Sequence, residues 1–152
     1  MIILVAVLFF LTINVAADGR MILPEIRNNF RNASLPAKHY PCGNDNGPGK
    51  VLTTYTTNQT IKVQWGIENP LDGSCFVDLS TTGKDNAFKN IHFMPNCADQ
   101  VAKFQVDVQL PEHISCEHCT LRFRWVPHLS KEVYLNCADI SILPPNKKVH
   151  PR

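Results

Sequence analysis

No stretch of this 152-residue chain is strongly basic or acidic. Fifteen Lys and Arg face thirteen Asp and Glu, for a net charge of +2. Nucleic-acid binding leaves a dense basic footprint, so so mild a balance argues against it. The one basic pair, Lys147-Lys148, sits near the end of the chain and reads as solvated. No internal repeat, linker or helical stripe is visible. No Gly-x-Ser-x-Gly occurs, and Ser34, Ser74, Ser80, Ser115, Ser130 and Ser141 lie in no nucleophile motif. No pair of acids stands out as an acid and base. The chain ends without an apolar tail, which argues against a lipid anchor of the glycosylphosphatidylinositol type.

What is present begins with an apolar run over residues 2–11. Val15 and Ala17 place small residues three before and one before a cleavage bond. The run is short for a bilayer span and no basic stop-transfer cluster follows. A signal peptide over residues 1–17 is expected, with one secreted domain over 18–152 beginning at Asp18. All six cysteines lie beyond the cut: Cys42, Cys75, Cys97, Cys116, Cys119 and Cys137. An even count in an exported chain implies three disulfides, and six sulfurs allow fifteen pairings. Asn32-Ala33-Ser34 and Asn58-Gln59-Thr60 are glycosylation sequons, so Asn32 and Asn58 are expected acceptors.

Several segments alternate with period two. Ile61, Val63 and Trp65 share one face; Phe104, Val106, Val108 and Leu110 share another; Leu121, Phe123 and Trp125 alternate with Arg122 and Arg124. Each reads as a half-buried strand. Further strands are expected over residues 75–79, 88–93 and 134–142. Between them lie the turn formers Asn69-Pro70, Asp72-Gly73, Thr82-Gly83 and Pro127-His128. Such spacing predicts an all-β, antiparallel β-sandwich. Residues 18–50 are polar and rich in Asn and Pro, and read as a long surface excursion held at Cys42 rather than as strand. Trp65 and Trp125 fall on apolar stripes, so core packing is expected of both.

Cys116-Glu117-His118-Cys119 has the spacing of half a zinc site, with His113 or His128 as further ligands. No second pair exists to complete it. A redox Cys-x-x-Cys opens a helix, and here a strand follows. The six histidines are scattered along the sequence.

Four segments carry more together than apart: Gly19-Arg20-Met21-Ile22-Leu23-Pro24-Glu25-Ile26-Arg27, Tyr40-Pro41-Cys42-Gly43, Cys116 through Trp125, and Tyr134-Leu135-Asn136-Cys137-Ala138-Asp139-Ile140. In this order the chain resembles the chitin-binding type-4 group, the lytic polysaccharide monooxygenases (LPMOs) and the small LPMO-like copper proteins. The resemblance implies an immunoglobulin-like sandwich with bridges Cys42–Cys137, Cys75–Cys97 and Cys116–Cys119. In active members a histidine brace holds copper through the first residue's amine and ring and a second imidazole, a set of three nitrogens suited to Cu(II) and Cu(I). Here Asp18 stands where the first histidine belongs. Residues 66–73, where the second is expected, hold none. Tyr134 matches the axial aromatic of some members.

The expectation is therefore a secreted, monomeric, chitin- or polysaccharide-binding LPMO-like domain, leaning away from enzyme, with no cofactor and no nucleic-acid or membrane partner. The alternative keeps copper, as an oxidative enzyme with a non-standard site or an extracellular copper-binding protein. Asp18, His39 and Tyr134 are then the candidate ligands, with His92 and His128 on loops not yet placed.

Overall fold

The computed structural model describes residues 17–27, 35–36, 41–43 and 47–145. The apolar opening run, Asn32, His39 and Lys147-Lys148 lie outside them. Among the described residues nine strands form two sheets: β1 (Asp18–Leu23), β2 (Leu35–Pro36), β3 (Thr53–Thr56), β4 (Thr60–Asn69), β5 (Gly73–Ser80), β6 (Lys89–Met94), β7 (Ala102–Gln109), β8 (Cys116–Pro127) and β9 (Tyr134–Leu143). One sheet runs β1-β4-β7; the other runs β2-β9-β8-β5-β6, and β3 adds to β9 in parallel. The architecture is an all-β sandwich.

The alternating stripes point where their pattern requires. Ile61, Val63, Trp65 and Ile67 of β4 are buried, while Lys62 between them is exposed. Leu121, Phe123 and Trp125 are fully enclosed. Trp65 packs against Phe123, and its ring stacks on Phe104 with centroids 5.5 Å apart. Its indole N–H donates to the Cys97 carbonyl at 2.7 Å. Burying a side chain of this size contributes about 2–3 kcal/mol. An exposed pair such as Lys62–Asp107 contributes at most ~1 kcal/mol. The sandwich interior therefore dominates.

Two readings of the sequence need correction. Residues 18–23 are strand, not excursion: Met21 is buried, and its backbone N–H donates to Asn136 Oδ1 at 2.7 Å, tying one sheet to the other. β8 is not half-buried either. Arg122 on its outer face is 3 % exposed, because a further layer covers the sheet there. Arg122 donates to the Pro41 carbonyl and to Asp78, and lies over the Phe88 ring. β9 is buried along nearly its whole length for the same reason. Three disulfides are formed: Cys42–Cys137, Cys75–Cys97 and Cys116–Cys119. The first joins the chain ahead of β3 to the outer face of β9. The third leaves neither sulfur of the Cys-x-x-Cys motif free for zinc.

Candidate functional site at the Asp18 end

Strand register gathers six chain segments at one end of the sandwich. Asp18 opens β1 opposite Asn69, the last residue of β4. Ile67 pairs with Ala102 at the start of β7, Gly73 with Pro127 at the end of β8, and Trp125 with Tyr134 at the start of β9. The loops that join these strands therefore lie at the Asp18 end. Two of them present bare apolar side chains: Val101 is 68 % exposed and Leu129 is 94 % exposed. From Asp18 a groove of about 290 Å³ runs down the outer face of the smaller sheet, over Gly66, between Arg20 and Ile22 on one side and Val101 and Lys103 on the other.

Glycines make the close packing beneath this end possible. A Cβ on Gly19 would stand 2.5 Å from Ile67 Cδ1 and 3.1 Å from the Gly66 carbonyl. One on Gly73 would stand 2.5 Å from the Val126 carbonyl oxygen. Trp125 fills the space below, its ring 4.9 Å from that of Tyr134. The indole N–H of Trp125 has no hydrogen-bond partner among the described residues.

Tyr134 is 4 % exposed, and its hydroxyl donates to Glu132 Oε2 at 2.9 Å. Burial pushes its phenol up to about 12, and the Glu132 carboxylate adds to the shift; a hydrogen bond from the backbone of Ala17 offsets part of it. The side chain is a packed strand residue with a fixed partner. Glu132 itself had no signal in the sequence.

The structure also brings together residues that the sequence keeps apart. His128 Nδ1 lies 3.3 Å from Asp72 Oδ2, and Nε2 lies 3.3 Å from Ser74 Oγ. The His128 backbone N–H donates to the Asp72 carbonyl at 2.9 Å. This has the order of a hydrolase triad but not its proton arrangement: the Ser74 hydroxyl donates to the Pro95 carbonyl at 3.1 Å. Ser74 is thus a strut between two loops rather than a primed nucleophile. His92 lies within β6 opposite Val77, on neither loop nor end.

No protein-family model matches the sequence, and no curated protein does. Solved structures do. A lytic polysaccharide monooxygenase of the AA15 class from Thermobia domestica, in the Cu(I) state, superposes with a TM-score of 0.57 at 20% identity, over 68% of this chain and 72% of that one. The chain has the fold of the lytic polysaccharide monooxygenases. A chitin-binding domain from Burkholderia pseudomallei matches with a TM-score of 0.58 at 12% identity, over 84% of this chain and all of that one. An AA10 monooxygenase from Streptomyces lividans matches at 0.52 and 15% identity; the LPMO-fold chain spans 59% of its length.

The fold raises the question of copper, and the donors that the described residues place at this end do not fit it. A copper brace needs imidazole nitrogens. At this end the residue opening β1 is a carboxylate, its cross-strand neighbour is Asn69, and the aromatic beside them is engaged with Glu132. His128 is the imidazole at this end among the described residues, and both its ring nitrogens already face protein partners. Among the described residues no group of three or more His, Cys, Asp or Glu is placed to hold a metal ion.

Proposed function

We propose that the protein is a secreted polysaccharide-binding domain of the LPMO-like kind, taking chitin or a related glycan, without oxidative activity. The observation that carries this reading is the Asp18 end itself. It has the strand arrangement of a fold shared with a chitin-binding domain and with monooxygenases, and a carboxylate, Asp18, and an amide, Asn69, face each other across it. Exposed Val101 and Leu129 offer apolar contact for the faces of sugar rings. Asp18, Asn69 and Asp72 beside them offer hydrogen-bond partners for hydroxyl and acetamido groups. Export is supported by the bridging of all six cysteines, which persists in oxidising compartments. Asn58 sits in the β3–β4 turn at the opposite end, so a glycan there leaves the Asp18 end clear.

Retention on chitin and cellulose beads tests the reading, with Val101→Ser and Leu129→Ser expected to lower retention. Retention no better than that of an inert disulfide-bonded protein on both matrices overturns it. Release of oxidised oligosaccharides from chitin with copper and ascorbate overturns the second half alone.

A further inference from the structure

β7 is the longest edge strand among the described residues. It has eight residues, no proline, and an unbroken register against β4 from Thr60↔Gln109 to Ile67↔Ala102. Among the described residues, its other side pairs with no strand. The remaining edges carry the devices that block strand addition. β1 has two register irregularities in six residues, the β5–β6 ladder has a bulge, and β2 and β3 are two and four residues long. Irregular or short edges resist pairing, and a long flat one invites it.

The side chains of β7 say what it would pair with. Lys103, Gln105 and Asp107 project from the outer face, and Phe104 and Val106 project inward. Antiparallel pairing of two β7 strands about a two-fold axis at Gln105 sets Lys103 of each copy opposite Asp107 of the other. Gln105 then meets Gln105. That register extends contacts already present within one copy, where Gln64 donates to Gln105 at 2.6 Å and Lys62 pairs with Asp107 at 3.0 Å. The amide row would cross the axis unbroken. On the inner face Phe104 would meet Val106 of the other copy. Both are only half-buried here, whereas their β4 neighbours Trp65 and Val63 are enclosed. The interior is incompletely covered along this edge, and a second strand would cover it.

We propose that the protein self-associates through β7 into a two-fold dimer with a continuous six-stranded sheet, β1-β4-β7 joined to its copy. This departs from the monomer expected from the sequence and stands independently of what the Asp18 end binds. One strand edge buries less than the roughly 800 Å² per partner of a standard stable interface, so association is weak and concentration-dependent.

Charge reversal tests it, read by sedimentation equilibrium across a concentration series. Lys103→Asp sets Asp against Asp at both symmetric positions, and Asp107→Lys sets Lys against Lys. Each should weaken self-association about tenfold. Mixing the two variants restores both opposite-charge pairs and should recover the dimer as a heterodimer. Both positions are solvent-exposed, and far-UV circular dichroism checks that each variant folds. Amide exchange along β7 should also slow as wild-type concentration rises. A wild type that is monomeric to millimolar concentration overturns the proposal, and so does a dimer that neither reversal weakens or that mixing fails to rescue.

Discussion

Arg27 and Asp139 meet side-on, with Nε on Oδ2 at 2.7 Å and a second guanidinium nitrogen on Oδ1 at 2.8 Å, both side chains almost wholly buried. The same guanidinium reaches both oxygens of Asp85 at 2.6 and 2.9 Å. One cation thus joins the chain after β1, the loop after β5 and the last strand. Asp139 also accepts from the backbone N–H of Gly49, which draws in the chain ahead of β3. Removing one partner leaves uncompensated buried charge. Arg27→Ala should cost about 3–5 kcal/mol in chemical denaturation. Arg27→Lys should recover little of it, because an ammonium cannot serve two carboxylates side-on. An Arg27→Ala protein as stable as wild type would show that the network is not holding the outer layer.

Acid should unfold the protein through the carboxylates of that layer. Burial alone would raise Asp78, but hydrogen bonds from Arg124 and Asn90 and the charges of Arg124 and Arg122 outweigh it and hold the carboxyl below its ordinary value. Asp85 is likewise lowered on balance: burial opposes ionisation, while Arg27 and Thr120 hydrogen bonds and the Arg27 charge favour it. A lowered folded-state value means the unfolded chain takes up protons first. The stabilisation is complete above the ordinary carboxylate range and is lost as pH falls below about 4. Denaturation midpoints measured between pH 7 and 2 should fall mainly in that lower range. Asp78→Asn should flatten the drop.

How much of this was legible depends on the physics each residue obeys. The stripes of β4, β7 and β8 were readable because alternation is a local pattern with one buried face. β1 was not, since Gly19, Arg20 and Met21 show no such stripe; it is a strand because β4 and Asn136 accept its backbone. Burial of Arg122 was invisible because the covering layer comes from sequence-distant segments. Arithmetic on six cysteines left fifteen pairings open, and only the resemblance singled out the three bridges seen here. The absence of histidine from position 18 and from residues 66–73 was plain in the letters. Bringing Asp72, Ser74 and His128 together required the β5–β8 register.

Tyr134 should titrate well above an ordinary tyrosine. With its phenol pushed up to about 12 by burial and Glu132, it should ionise well above the usual value near 10. Tyr55 is also raised, by burial. A raised acid stabilises the fold fully below the unfolded value, and that contribution is lost as pH rises from about 10 through 12. Ultraviolet titration of wild type against Tyr134→Phe isolates the late component. A difference spectrum developing at the ordinary tyrosine pH would mean that neither the burial nor the Glu132 contact persists in solution.

Gly73 should tolerate no side chain. A methyl there meets the Val126 carbonyl at 2.5 Å and the Pro127 Cα at 2.7 Å, both backbone atoms that cannot rotate away. Gly73→Ala should therefore part β5 from β8 where Asp72 meets His128, at a cost of about 1–3 kcal/mol or more. Denaturation midpoints read the cost. Tryptophan emission should shift as well, because Trp125 Nε1 lies 2.9 Å from the added carbon. An unshifted midpoint would mean this end yields more easily than its backbone contacts imply.

Asp18→His offers the sharpest view of what the Asp18 end has become. If the chain is cut after Ala17, position 18 supplies a free amine, and a histidine there adds a ring nitrogen on the same residue. Nitrogen pairs bind Cu(II) better than an amine with a carboxylate does, so copper affinity measured by calorimetry should rise at least tenfold over wild type. Residues 66–73, where the resemblance places the second imidazole, still hold no histidine. Ascorbate-driven oxidation of chitin should accordingly stay at background in Asp18→His. Wild-type protein that already binds Cu(II) as tightly as the histidine variant would show that other ligands assemble around Asp18 in solution, and the reading of this end as a glycan contact without copper would fall.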